Sequence, residues 1–217
     1  MQIQSLTQLE SGKENFMTLT VGVPEGADRK AYIHWIFDVD RSGSMSTRGT
    51  RDERTRLEHV QHTLINITEY LKAHAKDTQS IHKVTIVWFD HETNTSSAPT
   101  LTFEICGDTD VAEYQTLITK VEPNGSTNIG AAITAADMII PKEVLHKTAL
   151  VFMSDGEPTS GCCEYNSLCT MAKDLVDRVE SCAPYSMTAT FIGYGSGETG
   201  LMEKMSTRTK SDYHCVE

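Results

Sequence analysis

The sequence of 217 residues has no long apolar run and no basic segment at its start. A transmembrane helix needs about 18 or more consecutive apolar residues, so none is predicted. A secretory signal needs a basic start followed by an apolar core, and the first residues, MQIQSLTQLESGKENF, have neither. We therefore expect a soluble, intracellular protein that is located in the cytoplasm and does not bind membranes.

Clusters of basic residues are also missing. The chain has 19 Lys and Arg against 30 Asp and Glu, which gives a formal net charge of −11. Its densest basic stretch, residues 48–56, is interrupted by Asp52 and Glu53. Because nucleic-acid binding depends on clustered Lys and Arg, no nucleic-acid partner is expected. A cation site fits the acidic balance better.

Cysteine pairs with the C-x2-C spacing of structural zinc sites are absent. Three of the six cysteines, Cys162, Cys163 and Cys169, lie in one short segment, but no histidine lies among them. The even number of cysteines would suit disulfides, yet nothing in the sequence indicates secretion. Free thiols are therefore the favoured interpretation, with zinc binding and disulfides as the alternatives.

The sequence does contain a regular alternation of apolar runs and segments with helical periodicity. Strands are predicted at residues 17–23, 31–37, 84–89, 100–105, 149–153, 187–192 and 213–216. Helices are predicted at residues 54–75, 108–120, 127–140, 167–181 and 201–205. This alternation predicts an α/β fold with a doubly wound, mostly parallel central sheet flanked by helices, in which residues 100–105 form one antiparallel edge strand. Residues 1–16 would be an N-terminal tail and residues 17–217 a single domain.

Oxygen-bearing side chains are concentrated in three loops next to the predicted strands and helices. The loops have the sequences DVDRSGSM (residues 38–45), GSTNIG (residues 125–130) and SDGEP (residues 154–158). Doubly wound sheets bind ligands at the carboxyl ends of their strands, where these loops are expected. Carboxylates and hydroxyls without His or Cys suit Mg²⁺, Mn²⁺ or Ca²⁺ rather than zinc. The candidate metal ligands are Asp40, Ser42, Ser44, Thr127 and Asp155.

The motifs D-x-S-G-S-M, G-S-T-N-I-G and S-D-G-x-P, in this order and separation, resemble the metal-ion-dependent adhesion site (MIDAS) of von Willebrand factor A (vWA) domains. The resemblance extends from about residue 17 to 217, and the five candidate ligands match the family's five ligand positions. It implies a Rossmann-like vWA fold and one bound cation, which is Mg²⁺ in the simplest case, with Mn²⁺ and Ca²⁺ as alternatives. It also implies a non-enzymatic module for protein–protein interaction, within a larger complex, in which an Asp or Glu carboxylate of the partner completes the metal shell. Family members often carry a further helix that switches affinity, and the sequence, which ends after residues 213–216, leaves that feature open.

Two other functions stay open at this point. Asp38, Asp40 and Ser42 also fit the D-x-D-x-S/T loop of haloacid-dehalogenase-type phosphatases, which form an aspartyl-phosphate with the help of Mg²⁺. That family needs an acidic pair after a later strand, and the segment after residues 187–192 has none. The other alternative is a scaffold whose metal site is only structural. Asp38 and Glu157 are expected to lie on a solvated rim or in a turn rather than to bind the ion.

Overall fold

The computed structural model describes residues 2–11, 14–22, 31–48, 53–141, 146–182, 187–195 and 200–216. The chain divides into two compact units, Met1–Lys30 and Ala31–Glu217. In the first unit, strand β1 (Gln2–Ser11) pairs antiparallel with strand β2 (Glu14–Gly22). Strand β2 contains most of the predicted strand at residues 17–23, whereas β1 had no counterpart in the sequence analysis. The boundary between a tail of residues 1–16 and a domain of residues 17–217 stays a prediction.

The second unit is built on one six-stranded sheet. Its strands are β3 (Tyr32–Asp40), β4 (Ile81–Phe89), β5 (Leu101–Ile105), β6 (Lys147–Ser154), β7 (Met187–Tyr194) and β8 (Asp212–Val216). Across the sheet they lie in the order β5-β4-β3-β6-β7-β8. Strand β5 is antiparallel to β4, and the other neighbouring pairs are parallel. The predicted fold class, including the antiparallel edge strand, is confirmed.

Helices connect the strands of this sheet. In the described residues they are a short 3-10 helix (Gly43–Ser46), α1 (Arg56–Thr78), α2 (Ala112–Thr119), α3 (Ile129–Ile139), α4 (Tyr165–Cys182) and α5 (Gly200–Thr209). Each α-helix overlaps a predicted one. Helix α2 begins later than predicted, because residues 110–112 form a turn before it. In this turn the Asp110 carboxylate accepts the N–H of Ala112 at 3.1 Å.

The start of α1 is held by a reciprocal pair of hydrogen bonds. The Thr55 hydroxyl accepts the N–H of Glu58 at 3.2 Å, and the Glu58 carboxylate accepts the N–H of Thr55 at 2.6 Å. Such a capping box satisfies two backbone donors that the first turn of a helix leaves free. It therefore defines Arg56 as the first residue of α1.

The sheet is covered on both faces. Ile36 belongs to an apolar core that includes residues of α3, α4 and α5, such as Ile133 and Leu168. The adjacent Trp35 points to the opposite face, where its indole N–H donates to His82 at 3.1 Å. His82 in turn contacts His74 of α1, with their ring nitrogens 3.0 Å apart. Because β3 is buried on both faces, its sequence is a nearly continuous apolar run.

The order of the strands positions the loops with the candidate ligands. From β3 the chain continues to β4 on one side, and it later returns to β6 on the other side. The loops that leave the carboxyl ends of β3 and β6 therefore run in opposite directions and leave a crevice between them. Asp40 ends β3 and Ser154 ends β6, so both lie at this crevice.

No described helix is both long and apolar enough to cross a lipid bilayer. Cys106, Cys162, Cys163, Cys169 and Cys215 are free thiols, and Cys169 is the buried one among these five.

Candidate metal centre

The Asp40 carboxylate lies at the base of the crevice and is completely buried. One of its oxygens accepts the backbone N–H of Ser42 at 2.7 Å. The other accepts the hydroxyl of Ser154, which donates from the end of β6 at 2.6 Å. These two bonds hold the carboxylate in one orientation between β3 and β6.

A row of side-chain hydrogen bonds joins three of the other candidate ligands. The hydroxyls of Ser42 and Ser44 are 3.0 Å apart, and Ser44 donates to one oxygen of Asp155 at 2.8 Å. Ser42 and Asp155 are buried, whereas Ser44 is exposed. Ser44 lies on the 3-10 helix, and the neighbouring Met45 is completely buried. The row therefore opens to solvent at Ser44.

Thr127 lies outside this row, and its backbone bonds instead to the residues that follow the Asp155 loop. Its N–H donates to the Thr159 hydroxyl at 2.9 Å, and its carbonyl accepts the N–H groups of Thr159 and Ser160 at 2.9 and 3.1 Å. The carbonyl of Gly125, in the same loop, accepts the N–H of Gly43 at 3.0 Å. Within the described residues, no side-chain hydrogen bond joins Thr127 to the other four candidates. Backbone hydrogen bonds nevertheless join the loop of Thr127 to the loop after β3 and to the loop after β6.

Gly125 has a positive φ of +67°, in the region that favours glycine. A Cβ atom at this position would lie 2.7 Å from Nδ1 of His91, closer than real contacts allow. The backbone conformation therefore favours glycine here, and a larger residue would also have to displace the His91 ring. The turn that glycine permits brings the loop of Thr127 against the loop after β3.

A buried ion pair that no sequence motif indicated joins the loop after β3 to the loop after β4. Arg41 and Asp90 lie 2.5 Å apart, with side chains only 3% and 0% exposed. The carbonyl of Asp90 also accepts the N–H of Asn128 at 2.7 Å. The loops after β3 and β4 and the start of α3 are thus held together. Asp90 directly follows the apolar strand VTIVWF, and this position could have indicated a role at the end of the sheet. No local sequence pattern, however, indicated Arg41 as its partner.

A second arginine that the sequence analysis did not identify lies in the centre itself. The Nη1 atom of Arg56 is 2.5 Å from the Asp155 oxygen that Ser44 does not contact. The Arg56 side chain is 27% exposed, whereas that of Asp155 is fully buried. The two residues are 99 positions apart in the sequence, which is why no local motif revealed the contact.

Burial raises the pKa of Asp40 to about 7. Hydrogen bonds from Ser154 and Ser42 lower this pKa, and the nearby charge of Asp155 raises it. No described cationic side chain forms an ion pair with Asp40. Buried carboxylates are normally paired with a cation or a metal ion, so this carboxylate has the environment expected of a metal ligand.

The expectation for Asp38 was wrong, because it lies neither on a solvated rim nor in a turn. Asp38 is inside β3, paired in register with Val87 and Phe152, and is completely buried. Neither of its carboxylate oxygens has a hydrogen-bond partner among the described residues, and burial holds its pKa well above the usual value. Glu157, in contrast, is exposed and accepts the Tyr165 hydroxyl at 2.5 Å, as a residue on the rim would.

The donor set fits a hard cation. It comprises two carboxylates and three hydroxyls, and oxygen donors of this kind suit Mg²⁺, Mn²⁺ or Ca²⁺. Among the described residues, no group of three or more His, Cys, Asp or Glu side chains is placed to hold a metal ion. A site with only two carboxylates would not form such a group. Zinc binding by Cys162 and Cys163 gains no support either.

Comparisons with known proteins agree with the fold. The family model of the von Willebrand factor type A domain matches residues 35–157. No curated protein sequence matches the chain. The solved structure of the conserved hypothetical protein BatB from Bacteroides thetaiotaomicron has a TM-score of 0.60 and 16% identity, covering 85% of this chain and 90% of its own. For a von Willebrand factor type A protein from Catenulispora acidiphila the TM-score is 0.53 and the identity 15%, with 87% of this chain and 39% of that one covered.

A third solved structure contains a metal. It is proximal thread matrix protein 1 from the mussel byssus with a zinc-occupied MIDAS motif. Its TM-score is 0.50 and its identity 13%, covering 86% of this chain and 42% of that one. This chain therefore spans most of the length of BatB and less than half of the other two proteins. At these identities the likeness concerns the fold alone.

Proposed function

Because this chain belongs to the von Willebrand factor type A domain family, we propose that it is a metal-ion-dependent protein-binding module. Domains of this family are typically modules for protein–protein interaction and generally are not enzymes. The partner would offer an Asp or Glu carboxylate to a divalent cation held in the crevice between β3 and β6.

The observation that carries the proposal is the connected set of oxygen side chains at this crevice. Asp40, Ser42, Ser44 and Asp155 would hold the ion from two of the loops, and Thr127 from the third. The bound ion would act as a Lewis acid that attracts an anionic oxygen. Mg²⁺ prefers six oxygen ligands, and these five residues supply at most five if each contributes one oxygen. At least one position thus remains for water or for an outside carboxylate, on the side that Ser44 opens to solvent.

We expect Mg²⁺ to be the ion, with Mn²⁺ and Ca²⁺ as alternatives. One structural neighbour carries zinc in its MIDAS motif. The all-oxygen donor set of this chain, however, favours harder cations than zinc. The cytoplasmic location and the place in a larger complex stay predictions.

The phosphatase alternative gains no support from the geometry. In that mechanism Asp38 would have to attack a phosphate group, but its side chain is completely buried in β3. A nucleophile without access to substrate cannot form the aspartyl-phosphate. A scaffold with a purely structural metal remains the alternative that the following experiment separates from recognition.

Selection of displayed random peptides on the immobilised protein in Mg²⁺, with elution by EDTA, tests the proposal. We expect the eluted peptides to share an Asp or Glu, and binding to be lost when that residue becomes Asn or Gln. Asp155→Ala should abolish capture. Asp174→Ala, which removes an exposed carboxylate of α4, should leave capture unchanged. Peptides that stay bound in EDTA, or that bind Asp155→Ala equally well, would contradict the proposal.

A further inference from the structure

We propose that Arg56 sets the charge of this metal centre, so that the centre keeps one net positive charge when it holds a divalent cation. The inference rests on the proposed function and concerns how the same site selects an anionic ligand.

The contacts of Asp155 place Arg56 next to the proposed metal site. Ser44 donates to one carboxylate oxygen of Asp155 at 2.8 Å, and Nη1 of Arg56 lies 2.5 Å from the other. Both oxygens of this buried carboxylate are thus engaged by the chain itself. A cation bound between Asp40 and Asp155 would therefore lie within a few ångströms of a guanidinium group.

The backbone of Arg56 is hydrogen-bonded, and its guanidinium lies beside Gly195. Its backbone N–H donates to the carbonyl of Thr47 at 2.9 Å. At the other end, its guanidinium passes close to Gly195, where a Cβ atom would lie 2.5 Å from Nη2. Gly195 has a φ of +107°, so glycine provides both the backbone conformation and the space for the arginine.

The position of Arg56 has no advantage for the helix. Arg56 is the first residue of α1, and the positive end of the helix dipole makes cations unfavourable there. The acidic residue that suits this end is already present as Glu58. The arginine is therefore better explained by the carboxylate that it contacts than by helix stability.

The charges of the centre give Arg56 a defined consequence. The carboxylates of Asp40 and Asp155 together neutralise one divalent cation. The positively charged guanidinium of Arg56 then leaves one positive charge in excess. It should repel the metal ion and attract the ligand carboxylate, so that metal affinity is reduced in favour of carboxylate affinity.

Calorimetric titration of Mg²⁺ into wild type and Arg56→Gln tests this inference. We expect Arg56→Gln to bind Mg²⁺ about ten-fold more tightly, because one unit charge a few ångströms from the ion is removed. Arg56→Lys, which keeps the charge, should bind Mg²⁺ much as wild type does. Arg178→Gln is the matched control, since Arg178 pairs with Asp137 at 2.7 Å on helices α4 and α3 and should not affect the ion.

The sign of the change separates this role from simple positioning. If Arg56 only oriented Asp155, Arg56→Gln would bind Mg²⁺ more weakly, and such a result would overturn the inference. An unchanged affinity, or a change in Arg56→Lys as large as that in Arg56→Gln, would also overturn it. Absence of Mg²⁺ binding by wild type would instead contradict the proposed function.

Acetate serves as the second probe, since it carries the carboxylate that a partner would offer. By linkage, acetate should strengthen Mg²⁺ binding by wild type relative to chloride at equal ionic strength. This effect should be smaller in Arg56→Gln, whose loaded centre has no excess charge. An equal effect of acetate on the two proteins would contradict the charge-setting role.

Discussion

The buried pair of Arg41 and Asp90 leads to the prediction that the structure defines most sharply. Asp90→Ala would remove a carboxylate that contacts the Arg41 guanidinium at 2.5 Å and also accepts the N–H of Glu92 at 3.0 Å. The guanidinium would remain only 3% exposed and without its counter-charge. Breaking a buried pair in this way typically costs about 3–5 kcal/mol. For a domain of this size that corresponds to a loss of roughly 6–20 °C in Tm, at about 2–4 °C per kcal/mol.

Urea unfolding followed by circular dichroism measures this cost. The matched control is Asp177→Asn, which breaks the exposed pair with Lys173 on α4 and should cost about 0.5 kcal/mol or less. The double variant Arg41→Met with Asp90→Leu should recover much of the loss, because neither buried charge is then left alone. A loss below about 1 kcal/mol in Asp90→Ala, or no recovery in the double variant, would contradict this role of the buried ion pair.

Further predictions concern other buried groups of the described core. Asp38→Val should stabilise the metal-free protein by roughly 1–3 kcal/mol in urea unfolding, because it replaces a buried carboxyl group that has no described partner; a loss of stability would contradict this. Burial lowers the pKa of His34 and His82 to about 4 in the folded protein. Because a histidine in the unfolded chain has a pKa of about 6.5, the unfolded chain binds more protons than the folded protein in the pH range between these two pKa values. Their contribution to stability should therefore be complete above pH 6.5 and be lost as the pH falls toward 4, by at most about 1.4 kcal/mol per pH unit for each histidine; a smaller slope in His34→Gln would support the assignment. Gly125→Ala should destabilise the domain by about 1–3 kcal/mol, since alanine is strained at the positive φ of this turn, and an unchanged midpoint would contradict it.

The sheet could be predicted from the sequence because its strands are buried on both faces. Runs such as AYIHWIF and ALVFM have few interpretations other than interior strands of an α/β fold. Edge strand β5 was recognisable because one of its faces is exposed and its residues alternate. Strand β1 was missed, because its polar sequence has no such pattern.

The error at Asp38 has a physical reason. The apolar run suggested that the strand ends at residue 37, and carboxylates are common in turns. Pairing with β4 on one side and β6 on the other carries β3 on to Asp40. Since alternate residues of a strand share a face, Asp38 lies on the same face as Asp40 and is enclosed by the core.

The loops of the candidate site were predictable because each is a contiguous motif. The charged residues that organise them were not, because each pairing joins distant parts of the chain. Arg56 contacts Asp155 across 99 positions, and Arg41 contacts an aspartate that begins a different loop. Such contacts follow from the tertiary arrangement and leave no local pattern.

Crystals grown with Mn²⁺ in place of Mg²⁺ would show whether the crevice binds a cation, since the anomalous signal of manganese locates the ion. We expect one peak in the crevice between β3 and β6, within coordination distance of Ser42 and Ser44. One position of its shell should be filled by water or by a carboxylate of a neighbouring molecule. No peak at this position, or a peak at Cys162 and Cys163 instead, would contradict metal binding at this crevice.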